Sequence, residues 1–271
     1  MIRLALRCPP ALADRVLAEL VELAPGGVEE ERGADHVEFA IYGAPGELPE
    51  LPDLRALAGD GAIEVSTEEI PDDWADRWRD FHRPVVVGDR LVVRPSWLDE
   101  EPAGEVDVLI DPGRAFGTGA HATTRMCLEL LLELADGAGS EGSLVDLGTG
   151  SGVLAIAAAK LGFSPVHGCD HEAAALEAAG ENARANGVEI ELERINLREQ
   201  PAPAAGTMTA NLTAPILREV AVRLEEPPRR IVCSGLLRRE AGAIAGAFAS
   251  HGLEEAERRD DGDWAALLLV R

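Results

Sequence analysis

The chain is 271 residues long, room for one large domain or a large and a small one, and 46% hydrophobic with 27% charged residues is the balance of a globular protein with its own core. No apolar run approaches the roughly eighteen residues of a membrane helix, and Met1-Ile2-Arg3 meets charge too early for a signal peptide, so a cytoplasmic protein with no membrane partner is expected. A formal net charge of -24, with Lys160 as the single lysine, repels a nucleic-acid backbone and draws basic partners at low salt, although it also suits a plainly solvated acidic surface.

From the N-terminus, Ile2 to Cys8 reads as a strand, Pro10 to Leu23 as a helix with Leu12, Val16, Leu20 and Leu23 on one face, and Gly27 to Arg32 as a second strand. Gly33-Ala34-Asp35 turns into His36 to Tyr42, where Val37, Phe39 and Ile41 alternate. A Pro-rich connection leads to a short helix, Pro52 to Ala58, and a last strand, Ala62 to Thr67. The order β-α-β-β-α-β is the ferredoxin-like arrangement. Residues 1–68 are therefore expected to form a small α+β domain, and since none of them looks catalytic, a recognition or docking module. Pro71 to Phe81 reads as a linker helix within 69–82, capped by Asp72 or Asp73, with Trp74, Trp78 and Phe81 on one face suited to packing between domains.

Residues 83–271 are expected to form the larger domain. Val85 to Val87 and Leu91 to Arg94 pair across Gly88-Asp89, and Pro95-Ser96-Trp97 ends the hairpin. Val106 to Ile110 leads into a loop, Asp111 to Thr124, whose glycines and hydroxyls mark it as more than a connection, and Arg125 to Leu134 is apolar enough for a buried helix. Leu144 to Leu147 is a short buried strand, Gly148 to Gly152 a glycine turn, and Val153 to Leu161 an Ala-rich helix closed by Gly162. Then come strand Val166 to Asp170, helix Glu172 to Asn186 stopped by Gly187, and strands Ile190 to Arg194 and Met208 to Asn211. Helix Pro215 to Leu224, strand Ile231 to Cys233 and helix Arg239 to Ser250 follow. Leu253 to Arg258 and Trp264 to Val270 flank Asp260-Asp261-Gly262-Asp263, an Asp-Gly turn between antiparallel strands. This alternation, ending in a hairpin, predicts an α/β fold with a doubly wound sheet whose final strand runs backwards. Cys8, Cys127, Cys169 and Cys233 are far apart with no C-x-x-C pair, and read as buried thiols rather than a disulfide framework or a metal site.

Spacing within the glycine turn decides which ligand it suits. A dinucleotide fingerprint needs a third glycine where Val153 stands, and a phosphate loop needs Gly-Lys-Ser/Thr, which is absent. What remains is D-x-G-x-G-x-G, with Asp146 closing one strand and Asp170 at the tip of the next, where a carboxylate suits the paired hydroxyls of a ribose. An adenosine without pyrophosphate fits best, lying where bare backbone comes close and presents free N–H groups. The plain alternative is a glycine turn that tightens an ordinary strand-to-helix connection.

The same pattern resembles motifs I and II of the class I methyltransferases, which use S-adenosyl-L-methionine. D-P-G-x-A-F-G-T-G-x-H-x-T-T (Asp111 to Thr124), followed by the turn, resembles the bacterial ribosomal-protein-L-eleven methyltransferase family (PrmA). The likeness continues through W-x-x-x-W (Trp74, Trp78), P-S-W (Pro95 to Trp97), E-N-A-x-x-N-G (Glu181 to Gly187), A-N-L (Ala210 to Leu212) and S-G-L-L (Ser234 to Leu237). It covers nearly everything after residue 70, whereas the N-terminal domain is similar in architecture more than in residues. The resemblance implies a doubly wound (Rossmann-like) seven-stranded sheet and S-adenosyl-L-methionine as cofactor. It implies a basic ribosomal protein of the large subunit as partner, modified on lysine side chains or its N-terminal amine by a monomer that makes no direct contact with nucleic acid. It puts Thr124, Gly148, Asp170 and Asn211 on cofactor-binding positions, with Gly150 and Gly152 along the turn, and makes Phe116, Gly117, Thr118 and Gly119 the loop beside the cofactor and the acceptor channel. The chain departs from the family at Thr149, where cysteine is frequent, at His171-Glu172-Ala173, in place of an acidic-Pro element, and at Thr213, after the asparagine motif.

Three side chains keep two readings each. Asn211 either accepts from an acceptor amine and aims its lone pair at the methyl group, or caps its turn. His121 either takes a proton or holds its loop by hydrogen bonds. Asp146 either fixes the glycine turn or meets the ammonium of the methionine moiety.

Overall fold

A computed structural model describes residues 2–13, 16, 17, 20, 28–33, 35–43, 63–69, 83–98, 104–111, 119–137 and 142–271. The expected helix at 52–58, the linker helix with Trp74 and Trp78, and the loop residues Phe116, Gly117 and Thr118 lie outside these residues. The chain divides into two compact units, with a break between His82 and Arg83.

In the first unit, β1 (Ile2–Cys8), β2 (Glu29–Arg32), β3 (Val37–Gly43) and β4 (Glu64–Glu69) form a sheet in the order β2-β3-β1-β4, every pair antiparallel. Period-2 alternation puts Leu4, Leu6 and Cys8 of β1 and Val37, Phe39 and Ile41 of β3 in the core, where Ala13, Val16, Leu17 and Leu20 are also buried. Arg3 and Arg7, on the opposite face of β1, both donate to Glu38 of β3.

The second unit opens with a small sheet in which β5 (Val85–Val87) pairs antiparallel with β6 (Leu91–Arg94), and β6 pairs parallel with β7 (Val106–Leu109). Its main sheet comprises β8 (Leu144–Leu147), β9 (Val166–Asp170), β10 (Glu191–Arg194), β11 (Thr207–Asn211), β12 (Arg230–Leu237), β13 (Glu254–Asp261) and β14 (Trp264–Val270). The strand order is β10-β9-β8-β11-β12-β14-β13, parallel except that β14 runs against both of its neighbours. Five helices belong to this unit among the described residues: α1 (Ala122–Asp136), α2 (Val153–Lys160), α3 (Ala173–Ala185), α4 (Ala214–Val222) and α5 (Arg238–Ala249).

Both faces of the main sheet are covered. Leu144, Val232 and Ala266 point into a core with α1, α2 and the small sheet, and Val145, Leu147, Ile231, Cys233 and Leu267 into a second core with α4 and α5. The chain moves outward from β8 through β9 to β10, then returns to place β11 on the other side of β8. That reversal opens a crevice beyond the carboxyl ends of β8 and β11, the position where sheets of this kind bind ligands.

Glycines end α2 and α3 as their positions imply. Gly162 has φ 99°, and the Gly162 and Phe163 amides donate back to the Ala159 and Ala158 carbonyls; Gly187 (φ 66°) and Val188 do the same at the end of α3. Among the described residues most boundaries fall within two residues of the expected ones, and three differ by more. Helix α1 starts three residues early because the His121 ring nitrogen accepts from the Thr123 amide and serves as its cap. Strand β12 runs on past Cys233 to Leu237, with a register shift between Cys233 and Leu236 where Gly235 adopts φ 80°. Strand β13 absorbs Asp260 and Asp261, leaving Gly262-Asp263 as the turn into β14.

Candidate active site

The turn after β8 is a run of bare main chain. Gly148, Gly150 and Gly152 have φ of 69°, 51° and 84°, a region that costs a residue with a Cβ about 1–2 kcal/mol. The Gly148 and Thr149 amides both donate to the Cys169 carbonyl, fixing the turn against the end of β9. Asp170 is the last residue of β9, and the two oxygens of its carboxylate accept from Gly150 N (3.1 Å) and Glu172 N (3.0 Å). A carboxylate oxygen can accept two hydrogen bonds, so the oxygen bonded to Gly150 keeps a lone pair for a hydroxyl, while the other also has the exposed His171 Nδ1 3.3 Å away. The turn and Asp170 are thus one backbone-locked unit, and its glycine path and spare acceptors fit a nucleoside with vicinal hydroxyls.

Asn211 ends β11 on the other side of the crevice, and its Nδ2 donates to Thr124 Oγ1 in α1 at 3.1 Å. This joins two of the expected site residues. In this arrangement the amide oxygen, with no donor of its own among the described residues, is left to accept. Two glycines press on the residue that follows. A Cβ at Gly235 would lie 2.6 Å from the Leu212 carbonyl oxygen, and one at Gly148 would lie 2.4 Å from Leu212 Cδ2. The Leu212 amide donates to the Ser234 carbonyl, so S-G-L-L and the glycine turn together seat A-N-L. Thr213 carries a cost here, because its hydroxyl is buried with no partner among the described residues.

Asp146 is 1% exposed. Thr209 Oγ1 donates to one of its oxygens (2.7 Å) and Thr149 Oγ1 to the other (2.8 Å), so the carboxylate braces the turn. Burial pushes its pKa up to about 6, against the lowering effect of the two hydroxyls and the Ala155 amide. Because the folded value exceeds the unfolded one, the native state holds the extra proton between about pH 4 and 6, and stability falls as pH rises through that window. Comparing denaturant midpoints of the wild type and Asp146→Asn from pH 4.5 to 7.5, the advantage of the wild type should shrink toward neutral pH; a pH-independent difference would contradict this.

His121 caps α1, lies 2.8 Å from Thr123 Oγ1 and packs edge-to-face on Trp264 with ring centroids 5.0 Å apart. Gly119 is buried with φ 86°, and a Cβ there would meet Val93 at 2.9 Å. The four cysteines are buried, and burial raises the pKa of Cys169 and Cys233 to about 12, which makes them inert thiols. Among the described residues no His/Cys/Asp/Glu group could hold a metal ion, and no helix is long and apolar enough to cross a membrane.

Several supporting residues carry no catalytic signature in the sequence. Thr209 stands two residues before Asn211 and 63 after Asp146, and only the pairing of β8 with β11 brings it to the carboxylate. Ser96 donates to Asp111 through both its amide (2.7 Å) and its hydroxyl (2.8 Å), which ties P-S-W to the head of the long loop.

Residues 50–271 match the family model described as "Ribosomal protein L11 methyltransferase (PrmA)". The protein named ribosomal protein L11 methyltransferase in Symbiobacterium thermophilum is 36% identical over 308 aligned positions, covering all of this chain and 99% of the relative. Its namesake in Shewanella halifaxensis is 41% identical over 243 positions, covering 87% of this chain and 81% of the relative. A crystal structure described as ribosomal protein L11 methylase from Lactobacillus delbrueckii subsp. bulgaricus is similar with a TM-score of 0.61 and 30% identity, covering 69% of this chain and 98% of that one. The main sheet is therefore the Rossmann-like sheet of a class I methyltransferase, and the chain belongs to the ribosomal protein L11 methyltransferase (PrmA) family.

Proposed function

We propose that the protein transfers methyl groups from S-adenosyl-L-methionine to amino groups of the large-subunit ribosomal protein for which its family is named, lysine side chains foremost. The observation that carries this reading is what stands at the carboxyl ends of β8, β9 and β11: three left-handed glycines, an Asp170 carboxylate bonded to the turn, and the Asn211 amide bonded to Thr124. In this reading Asp170 takes the ribose hydroxyls, Gly148, Gly150 and Gly152 let the cofactor lie against main chain, and Phe116, Gly117 and Thr118 belong to the loop beside it. The bound cofactor supplies an electrophilic methyl on a sulfonium.

What the chain adds is positioning. A lysine presented as a neutral amine at pH 7 costs about 4–5 kcal/mol against its ordinary pKa. An apolar site lowers that cost, and the Asn211 oxygen, accepting one amine N–H, turns the lone pair toward the methyl. With its Nδ2 donating to Thr124 Oγ1, Asn211 has its oxygen available for the amine.

The first unit is read as a ferredoxin-like recognition domain over residues 1–68, joined by a linker at 69–82 to the methyltransferase domain at 83–271; the all-antiparallel order β2-β3-β1-β4 supports the first part. The net charge of -24 supports a basic protein partner and the absence of direct nucleic-acid contact, for a cytoplasmic monomer. Intact-mass analysis of the ribosomal protein before and after incubation with enzyme and cofactor tests the reading. Methyl-sized increments that map to lysines or the N-terminal amine are expected, and an unmodified protein would overturn it.

A further inference from the structure

The first asparagine of E-N-A-x-x-N-G joins the glycine turn to the start of the Asp111–Thr124 loop. Asn182 lies in α3 and is 5% exposed. Its Nδ2 donates to the Ser151 carbonyl in the glycine turn (2.9 Å), and its Oδ1 accepts from the Asp111 amide (3.2 Å), the residue from which the loop carrying Phe116, Gly117 and Thr118 departs. Asp111 is held from its other end by the two bonds from Ser96. One buried amide thus spans turn and loop root, and neither can shift without leaving a buried polar group unmatched.

Asn186, one helical turn on, works differently. It bonds the Leu109 amide (2.8 Å) and carbonyl (2.6 Å), pairing with β7 as a neighbouring strand would, and makes no bond to the glycine turn.

We infer that Asn182 is a positioning residue for the cofactor: it sets the spacing between the glycine turn and the root of the Asp111–Thr124 loop. The inference rests on the proposed cofactor site. Its separation from a merely structural role lies in the pair Asn182 and Asn186: Asn186 caps the same helix and donates to the Asn182 carbonyl, but only Asn182 bonds the turn.

The test is calorimetric titration of S-adenosylhomocysteine into the wild type, Asn182→Ala and Asn186→Ala, with ligand-free denaturant midpoints and methyl-transfer kinetics alongside. Asn182→Ala should bind about tenfold more weakly, with a raised KM for the methyl donor and an unchanged KM for the protein acceptor. Asn186→Ala should lose stability and keep its affinity within about twofold. Equal affinity losses in the two variants, or none in Asn182→Ala, overturn the inference. A wild type that fails to bind overturns the functional reading and the inference with it, an outcome distinct from a wild type that binds no better than Asn182→Ala.

Should Asn182→Ala not fold, the wild type itself supplies the readout through hydrogen exchange. Saturation with S-adenosylhomocysteine should slow exchange at the Asp111 amide, because coupling between turn and loop root is reciprocal. An unchanged rate at that amide overturns the inference.

Discussion

Asp170→Ala is expected to weaken S-adenosylhomocysteine binding by about 30- to 1,000-fold, or 2 to 4 kcal/mol, the value of two charge-assisted hydrogen bonds to a ribose. The estimate follows from the geometry of the carboxylate. Backbone amides from Gly150 and Glu172 occupy one acceptor position on each oxygen, so the group is already aimed before ligand arrives and loses little freedom on binding. Alanine removes the ribose acceptors and also unties Gly150, so the loss should fall at the upper end of the range. Asp170→Asn, which retains one acceptor oxygen, should fall between alanine and the wild type. Calorimetry on folded variants checks this, and unchanged affinity in Asp170→Ala would refute the ribose assignment.

The second large effect belongs to Asn211. Asn211→Ala should lower kcat by about a hundredfold, because the acceptor amine loses the hydrogen bond that sets its approach to the methyl group. The KM of the protein acceptor should change far less, since most of its binding surface is elsewhere. Asn211→Asp should not restore the rate at neutral pH. A carboxylate beside the amine favours its ammonium form and so removes the lone pair that the reaction needs. Steady-state kinetics on the two variants decide the matter: a kcat within twofold of wild type in Asn211→Ala would leave the asparagine with the capping role alone.

What the sequence disclosed about the fold follows from how local each determinant is. The turn at 148–152 was readable because a left-handed backbone asks for glycine residue by residue, and Gly162 and Gly187 ended their helices for the same reason. The start of α1 was not, since histidine is outside the usual set of capping residues, yet its ring nitrogen accepts from the Thr123 amide. Strand β12 looked three residues long because Gly235 interrupts its apolar run; the interruption is a bulge that lets the strand continue while its glycine lies against the Leu212 backbone.

The site divides along the same line. Asp170 and the glycines are twenty residues apart, within one βαβ unit, and their spacing carries a chemical meaning. The partners that hold the site together are remote in sequence. Thr209 reaches Asp146 across 63 residues through the pairing of β11 with β8, while Asn211 reaches Thr124 of α1 across 87 and Asn182 of α3 reaches Asp111 across 71 through tertiary packing rather than pattern. Asp146 shows the consequence most plainly. Its position suits either the cofactor or the turn, and only the structure shows the two hydroxyls through which it braces the turn.

The crystal structure of the protein with S-adenosylhomocysteine examines the central claim most directly. A nucleoside lying along Gly148 to Gly152 with both sugar hydroxyls about 3 Å from the Asp170 oxygens is the expected outcome. An empty crevice between the ends of β8 and β11, or the compound bound with its sugar turned away from Asp170, would contradict it.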